Sequence, residues 1–139
     1  MLKGRLLHPD ILSALASAGH GSKVLIADSN YPYATHAGQN AELVFLNLAP
    51  GKVNVTETLE VIAGAIPIEA AEVMLPADGK EPDIFAEFRS LLPGITLETR
   101  ARNEFYDVAR SDDLCLVIAT GEQRIYACVI LTIGVELPT

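Results

Sequence analysis

Two side chains near the start of the chain are the strongest candidates for chemistry. His20 lies in a glycine-flanked turn directly before an apolar run, and Asp28 ends that run. Histidine titrates near neutrality, so it can take up and release a proton at working pH. A carboxylate at the end of a buried strand can accept hydrogen bonds from ligand hydroxyls. The alternative for each is structural: a polar loop histidine and an aspartate that caps a turn.

Further candidate groups follow in the second half of the chain. Arg102 precedes a predicted helix, and Tyr106 lies four residues later, on the same helical face. Tyr126 interrupts an aliphatic run and can bring a hydroxyl to the edge of the sheet. Glu122 is a turn carboxylate. Each also has a structural alternative. Arg102 would be an exposed charge at a helix start and Tyr106 a half-buried aromatic. Tyr126 would pack within a strand, and Glu122 would lie in a solvated turn.

Several well-known site signatures are absent from the sequence. There is no Gly-x-Gly-x-x-Gly motif, no phosphate-binding Gly-Lys-Ser/Thr loop and no Gly-x-Ser-x-Gly elbow. Cys115 and Cys128 lie in separate apolar runs, which favours buried free thiols, and with the three histidines they give no zinc spacing. His8 suits the start of a helix and His36 lies in a loop. The sequence therefore predicts a polar small-molecule site without metal or cofactor.

Composition excludes several classes of partner. Eighteen acidic residues against ten basic ones give a net charge of −8, which argues against nucleic acid and anionic membranes. Half of the 139 residues are hydrophobic, too many for a disordered chain, yet no run approaches the roughly 20 residues that span a bilayer. We expect one domain over residues 1–139, with surplus apolar residues in a subunit interface. Lys3 and Arg5 precede no signal-peptide core, so we expect a cytoplasmic protein.

Helical and strand patterns alternate along the chain, which predicts an α/β fold. The expected helices cover Pro9–Ala18, Thr56–Ile66, Pro82–Leu92 and Asn103–Arg110, and the expected strands cover Lys23–Ala27, Glu42–Leu48, Ile68–Leu75, Ile95–Glu98, Leu114–Ala119 and Arg124–Ile133. The last two strands are joined by a turn too short for a parallel crossover, so they should be antiparallel. The prediction is a three-layer α/β/α fold with a mixed, mostly parallel sheet.

A set of short motifs, in order, resembles the ribose pyranase and fucose mutarotase family. The matching pieces are Gly19-His20, the strand ending at Asp28, Pro32, Arg102, Phe105-Tyr106, Thr120-Gly121-Glu122, Tyr126, Val129-Ile130-Leu131 and Gly134-Val135. Members of this family speed the interconversion of sugar anomers or ring forms. The resemblance also implies ring-shaped decamers with sites near subunit boundaries.

The resemblance implies roles for particular residues. His20 matches the family's catalytic histidine, and Asp28 matches a sugar-binding aspartate. Arg102 falls where fucose-type members have arginine and ribose-type members have histidine, and Tyr106 also fits the fucose type. The segment of Tyr126, Ala127 and Cys128 matches a sugar-contacting Tyr-x-Asn motif, with Cys128 in place of asparagine.

The resemblance and these residues together imply a cofactor-free sugar mutarotase. His20 would donate and accept the proton, and Tyr126 would contact the sugar or help pass a proton. Asp28 would hold sugar hydroxyls, and Arg102 would bind a hydroxyl or steady charge on the ring-opened form. The expected substrate is a monosaccharide such as L-fucose or a related sugar. Two alternatives stay open: a D-ribose pyranase, and a non-catalytic monosaccharide-binding protein, which a thiol at Cys128 keeps in view.

Overall fold

The computed structural model describes all residues from 1 to 139, and it contains four helices and six strands. The helices are α1 (Pro9–Ser17), α2 (Val55–Ala63), α3 (Ile84–Leu91) and α4 (Arg102–Ala109). The strands are β1 (Lys23–Ala27), β2 (Glu42–Phe45), β3 (Ile68–Met74), β4 (Leu97–Arg100), β5 (Leu114–Ala119) and β6 (Val129–Ile133).

The six strands form one mixed sheet in the order β2-β5-β1-β6-β3-β4. Three of the five neighbouring pairs are parallel, and β6 is antiparallel to both β1 and β3. The predicted α/β class and mostly parallel sheet are therefore confirmed. Strands β5 and β6 do run in opposite directions, but they do not form the expected direct pair, because β1 lies between them. The segment that joins them crosses the carboxyl end of β1, where the Thr120 N–H donates to the Ala27 carbonyl at 3.1 Å.

Helices cover both faces of the sheet, as the three-layer prediction requires. The larger core packs α1, α2 and α3 on one face, through residues such as Ile11, Leu59 and Phe88. The smaller core packs α4, through Phe105 and Ala109, on the other face. The turn-rich segment after β1 extends the cover on that second face, since Tyr31 joins the same core. Strand β1, buried on both faces, therefore forms the middle of the molecule.

Several predicted element boundaries were wrong, each for a local reason. The predicted final strand began at Arg124, whereas β6 begins at Val129, because residues 124–128 form a turn and a crossing segment instead. Helix α2 begins at Val55, one residue before the predicted Thr56, because the Asn54 side chain caps it by accepting from the Glu57 N–H at 2.8 Å. Helix α4 includes Arg102 and begins one residue before the predicted Asn103.

Two general expectations can be compared with the structure directly. Both cysteines are free thiols, with Cys128 buried and Cys115 partly buried. His8 caps α1, since its Nδ1 accepts from the Asp10 N–H at 3.2 Å.

None of the four helices is long and apolar enough to cross a membrane.

Candidate functional site

A cavity of about 280 Å³ opens at the edge of the sheet where β1 and β3 end. Because β6 runs antiparallel to both strands, its first residues start at this same edge. The carboxyl ends of strands in open α/β sheets are the usual place for ligands. The lining residues come from β3, α4 and the segments flanking β1 and β6: Asp28, Asn30, Tyr31, Met74, Arg102, Tyr106, Ile125, Tyr126 and Cys128.

Asp28 is the buried acid of this cavity, with only 6% of its surface exposed. Its Oδ1 accepts from the Asn30 N–H at 3.0 Å, and its Oδ2 accepts from the Ala127 N–H at 3.4 Å. Burial raises the pKa of Asp28 above its usual value, against the lowering effect of these hydrogen bonds. The carboxylate thus has the turn-capping role expected of it and also presents acceptor oxygens to the cavity.

Cys128 lies next to Asp28 in the cavity wall. Its Sγ accepts from the Asp28 N–H at 3.4 Å, and its residue surface is only 4% exposed. Burial raises the pKa of the thiol well above its usual value, and the Asp28 charge raises it further. The thiol is therefore neutral at physiological pH and offers the ligand only weak hydrogen bonding. Ala127, between Tyr126 and Cys128, is fully buried and acts through its backbone N–H on Asp28.

Tyr126 lies on the crossing segment and has an uncommon backbone conformation. Its φ is 55°, in the left-handed region that a bulky side chain rarely adopts and that often marks functional sites. The segment is tied down on both sides. The Ser29 N–H donates to the Glu122 carbonyl at 2.9 Å, and Arg124 bridges the Glu122 and Glu87 carboxylates. These contacts hold the backbone that carries the Tyr126 side chain at the cavity.

Glu122 is nearly inaccessible, with 4% of its surface exposed. Burial pushes its pKa upward, but hydrogen bonds from Arg124 and the guanidinium charge outweigh burial, so the pKa lies below its usual value. Glu122 does not line the cavity. Glu122 lies within the crossing segment itself, where its ion pair with Arg124 supports the loop.

Arg102 and Tyr106 reach the cavity from α4. They lie one helical turn apart, as their four-residue spacing predicts, and both line the wall. Arg102 is exposed, whereas Tyr106 is partly buried and packs against Tyr31 with 5.9 Å between ring centroids. One side of the cavity therefore carries a permanent positive charge beside aromatic surface.

His20 is not at this cavity. It lies before β1, at the opposite end of the sheet, where its Nε2 is 3.0 Å from Glu69 Oε2 and its side chain is 58% exposed. Strand β1 has five residues, and at about 3.3 Å per residue it separates His20 from Asp28 by roughly 16 Å. Within one copy of the chain, the predicted histidine and aspartate cannot act on the same small molecule.

Four lining residues were missed by sequence reasoning: Asn30, Tyr31, Met74 and Ile125. Met74 ends β3, so the rule that singled out Asp28 at the end of β1 could also have found it. Asn30 and Tyr31 begin the turn-rich segment after Asp28. No sequence pattern singles out Ile125 as a site residue. In the structure its side chain lies at the mouth of the cavity and is 67% exposed, as many surface side chains are.

The cavity is lined by one buried carboxylate, one guanidinium, one amide and three phenols, together with apolar residues. Such mixed donors and acceptors suit a small neutral molecule with several hydroxyl groups. The volume lies just below the roughly 300 Å³ at which pockets for drug-sized ligands begin, which fits a smaller ligand. No three His, Cys, Asp or Glu side chains are grouped so that they could hold a metal ion.

A match to a known family covers nearly the whole chain. Residues 1–136 match the RbsD / FucU transport protein family. Among curated proteins, human fucose mutarotase is 29% identical, with 96% of this chain and 94% of the relative covered. D-ribose pyranase from Geobacillus kaustophilus is 27% identical, with 98% of this chain and 96% of the relative covered.

Solved structures of both types share the fold. Bacillus subtilis RbsD, solved with D-ribose, superposes with a TM-score of 0.86 at 26% identity and covers 99% of this chain and 100% of that one. The fucose mutarotase of Streptococcus pneumoniae, solved with L-fucose, gives a TM-score of 0.79 at 29% identity, with 98% of this chain and 100% of that one covered.

Proposed function

Because the chain belongs to the RbsD / FucU transport protein family, we propose that it is an isomerase that interconverts the anomers of a monosaccharide. Relatives across the full length are named for this chemistry on two different sugars. The observation that carries the proposal is the cavity. Five of the residues predicted from the sequence line it together: Asp28, Arg102, Tyr106, Tyr126 and Cys128.

For the substrate we propose L-fucose or a closely related sugar. The support comes from Arg102 and Tyr106, the two residues that fit the fucose-type pattern and that lie side by side on α4 at the cavity wall. D-ribose is the alternative substrate. A ribose-type enzyme would convert pyranose to furanose, so exchange rates on the two sugars separate the two activities.

Anomer exchange needs only two proton movements. A proton leaves the anomeric hydroxyl and another reaches the ring oxygen, which opens the ring to the aldehyde; closure on the other face reverses both steps. A well-placed acid–base group contributes roughly 10²–10⁴-fold to such a step. In our proposal His20 carries the proton, Tyr126 contacts the sugar and helps pass the proton, and Asp28 and Arg102 hold hydroxyls.

The position of His20 makes a second copy of the chain part of this proposal. His20 and the cavity lie at opposite ends of the sheet, so the histidine must enter the cavity of a neighbouring copy. The exposed imidazole and its exposed partner Glu69 leave that end of the molecule accessible. An assembly that brings the two ends together completes the site. The number of copies, ten by resemblance, stays a prediction, as does the cytoplasmic location.

Saturation-transfer NMR on unlabelled sugars tests the activity directly. The wild-type protein should speed exchange between the α and β forms of L-fucose more than of D-ribose, and His20→Ala should remove most of the acceleration. His8→Asn is the matched control, since His8 lies outside the cavity and asparagine can also cap α1. Absence of acceleration with fucose, ribose and other common aldoses would refute the enzyme proposal.

A non-catalytic sugar-binding protein is the second candidate, and Cys128 is the observation that favours it. The neutral thiol occupies the place of a family asparagine and cannot present the two N–H donors of an amide. The discriminating variant is Cys128→Asn. If the wild type binds sugar without exchange and Cys128→Asn gains exchange, binding without catalysis is the better account. If the wild type already exchanges anomers, this candidate is excluded.

A further inference from the structure

His36 contacts a residue of the cavity wall without lining the cavity itself. Its imidazole packs edge-on against the Tyr106 ring, with 4.4 Å between centroids and 64° between planes. Tyr106 lines the cavity, whereas His36 does not. The sequence suggested no particular role for this loop histidine. In the structure it is the histidine nearest to the candidate sugar site of its own chain.

Tyr106 contacts two rings of the same loop. Tyr31 packs against it with 5.9 Å between centroids, at 68°, while His36 packs against it at 64°. The Tyr31 hydroxyl donates to the His36 carbonyl at 2.6 Å, so the two flanking residues are tied to each other. Thr35 Oγ1 lies 2.7 Å from His36 Nδ1 and fixes the imidazole orientation. The Tyr106 ring therefore has two aromatic contacts with a loop whose side chains are tied together.

We propose that His36 is a positioning residue that sets sugar affinity by holding Tyr106 in the cavity wall. This inference rests on the proposed function, in which Tyr106 contacts the sugar. Edge-to-face aromatic pairs contribute enough to change an equilibrium by about 3- to 10-fold. Without the imidazole the phenol ring of Tyr106 is more mobile. Sugar binding must then order the ring, which lowers the affinity for the sugar. His36 touches no reacting atom, so the chemical step itself is unaffected.

A purely structural role for the imidazole can be separated from this one, because backbone groups hold the loop. The His36 N–H donates to the Pro32 carbonyl at 3.0 Å, and the Gly38 N–H donates to the Ala109 carbonyl at 2.8 Å. The bond from Tyr31 also goes to the His36 carbonyl. Replacing the side chain leaves these three hydrogen bonds in place, so the loop should keep its path.

The test compares three single variants of the full-length protein. His36→Ala should raise the KM for the exchanged sugar about 3- to 10-fold and leave kcat within about twofold. His36→Phe keeps an aromatic edge beside Tyr106 and should return KM to within about twofold of wild type. Gln39→Ala is the control, because Gln39 lies in the same loop and its Nε2 donates to Asp112 at 3.1 Å, away from Tyr106.

Two results would overturn the proposal: an unchanged KM in His36→Ala, or a His36→Phe variant as impaired as His36→Ala. A further readout needs no sugar. The rate at which the Tyr106 ring flips, measured from its NMR ring-proton line shapes assigned with Tyr106→Phe, should rise in His36→Ala and stay unchanged in Gln39→Ala. If the wild type exchanges no sugar, the proposed function fails, and this flip rate still decides whether His36 positions Tyr106.

Discussion

Two inactive variants should restore activity when they assemble together. His20→Ala removes the proposed proton carrier at one end of the sheet, and Asp28→Asn removes a sugar ligand at the other end. Each variant alone should lose most anomer exchange. In a mixed assembly, some cavities receive His20 from an Asp28→Asn chain and Asp28 from a His20→Ala chain. Those cavities contain both wild-type residues, although every chain in the mixture is defective.

The size of the recovery follows from the separation of the two residues. Since one copy cannot bring His20 to its own Asp28, each site draws the two residues from two chains. With equal amounts of both variants and random assembly, each required residue is intact with a probability of about one half. About one quarter of the sites are therefore complete, in a closed ring or a two-fold dimer alike. The mixture should show about 25% of wild-type exchange.

Co-expression of the two variants in equal amounts gives this random mixture, and a different affinity tag on each variant verifies that the two chains assemble together. Exchange is then measured by saturation-transfer NMR. Asp28→Asn mixed with Arg102→Ala is the matched control, because both residues line the cavity of the same copy and no mixed site can be complete. Recovery in the control pair, or exchange in the test pair no higher than the mean of the two separate variants, would refute the two-chain site.

Two further predictions concern stability, measured by urea unfolding. Burial raises the pKa of Asp28 in the folded state, so its ionisation destabilises the folded protein as pH rises above 3.8, its pKa in the unfolded chain. Hydrogen bonds from Arg124 lower the pKa of Glu122. The stability that the Glu122 carboxylate contributes is therefore lost as pH falls below 4.5, its pKa in the unfolded chain. From about pH 3.5 to about pH 6, wild type should therefore lose stability relative to Asp28→Asn and gain stability relative to Glu122→Gln; equal pH trends for both variants would contradict these signs. In Gly38→Ala the added Cβ would clash with the Ser111 carbonyl oxygen, and the free energy of unfolding should fall by about 1–3 kcal/mol. In Gly19→Ala the added Cβ meets open space, and the free energy of unfolding should change by less than about 0.5 kcal/mol.

Much of the fold could be predicted from local patterns in the sequence. The continuous apolar run of β1 and the helical spacing of the α1 and α3 residues depend on contacts within each segment and with one core, so the sequence expresses them directly. Strand order depends on contacts far along the chain. A short connection between β5 and β6 suggested a hairpin, but burial of β1 on both faces favours placing it between them.

The candidate site was predictable where a residue follows a strand or repeats at helical spacing. Asp28 was found by the first signal and the pair of Arg102 and Tyr106 by the second. The distance between His20 and Asp28 could not be predicted in this way. The two residues are only eight positions apart in the sequence, but the extended strand β1 lies between them and places them at opposite ends of the sheet. The contact of His36 with Tyr106 joins a loop to a helix about seventy positions away, and no local pattern encodes it.

The place of β1 in the sheet also bears on how the chain is made. Both strands that flank β1 are the last two of the chain, and Lys23 pairs with Leu114 and Thr132. While the ribosome is still adding residues before position 114, β1 has two open edges and no partner, a state that invites pairing with other chains. The same late residues supply Tyr126 and Cys128 to the cavity. The centre of the sheet and the ligand site are therefore completed together, only after residues 114–133 have been made.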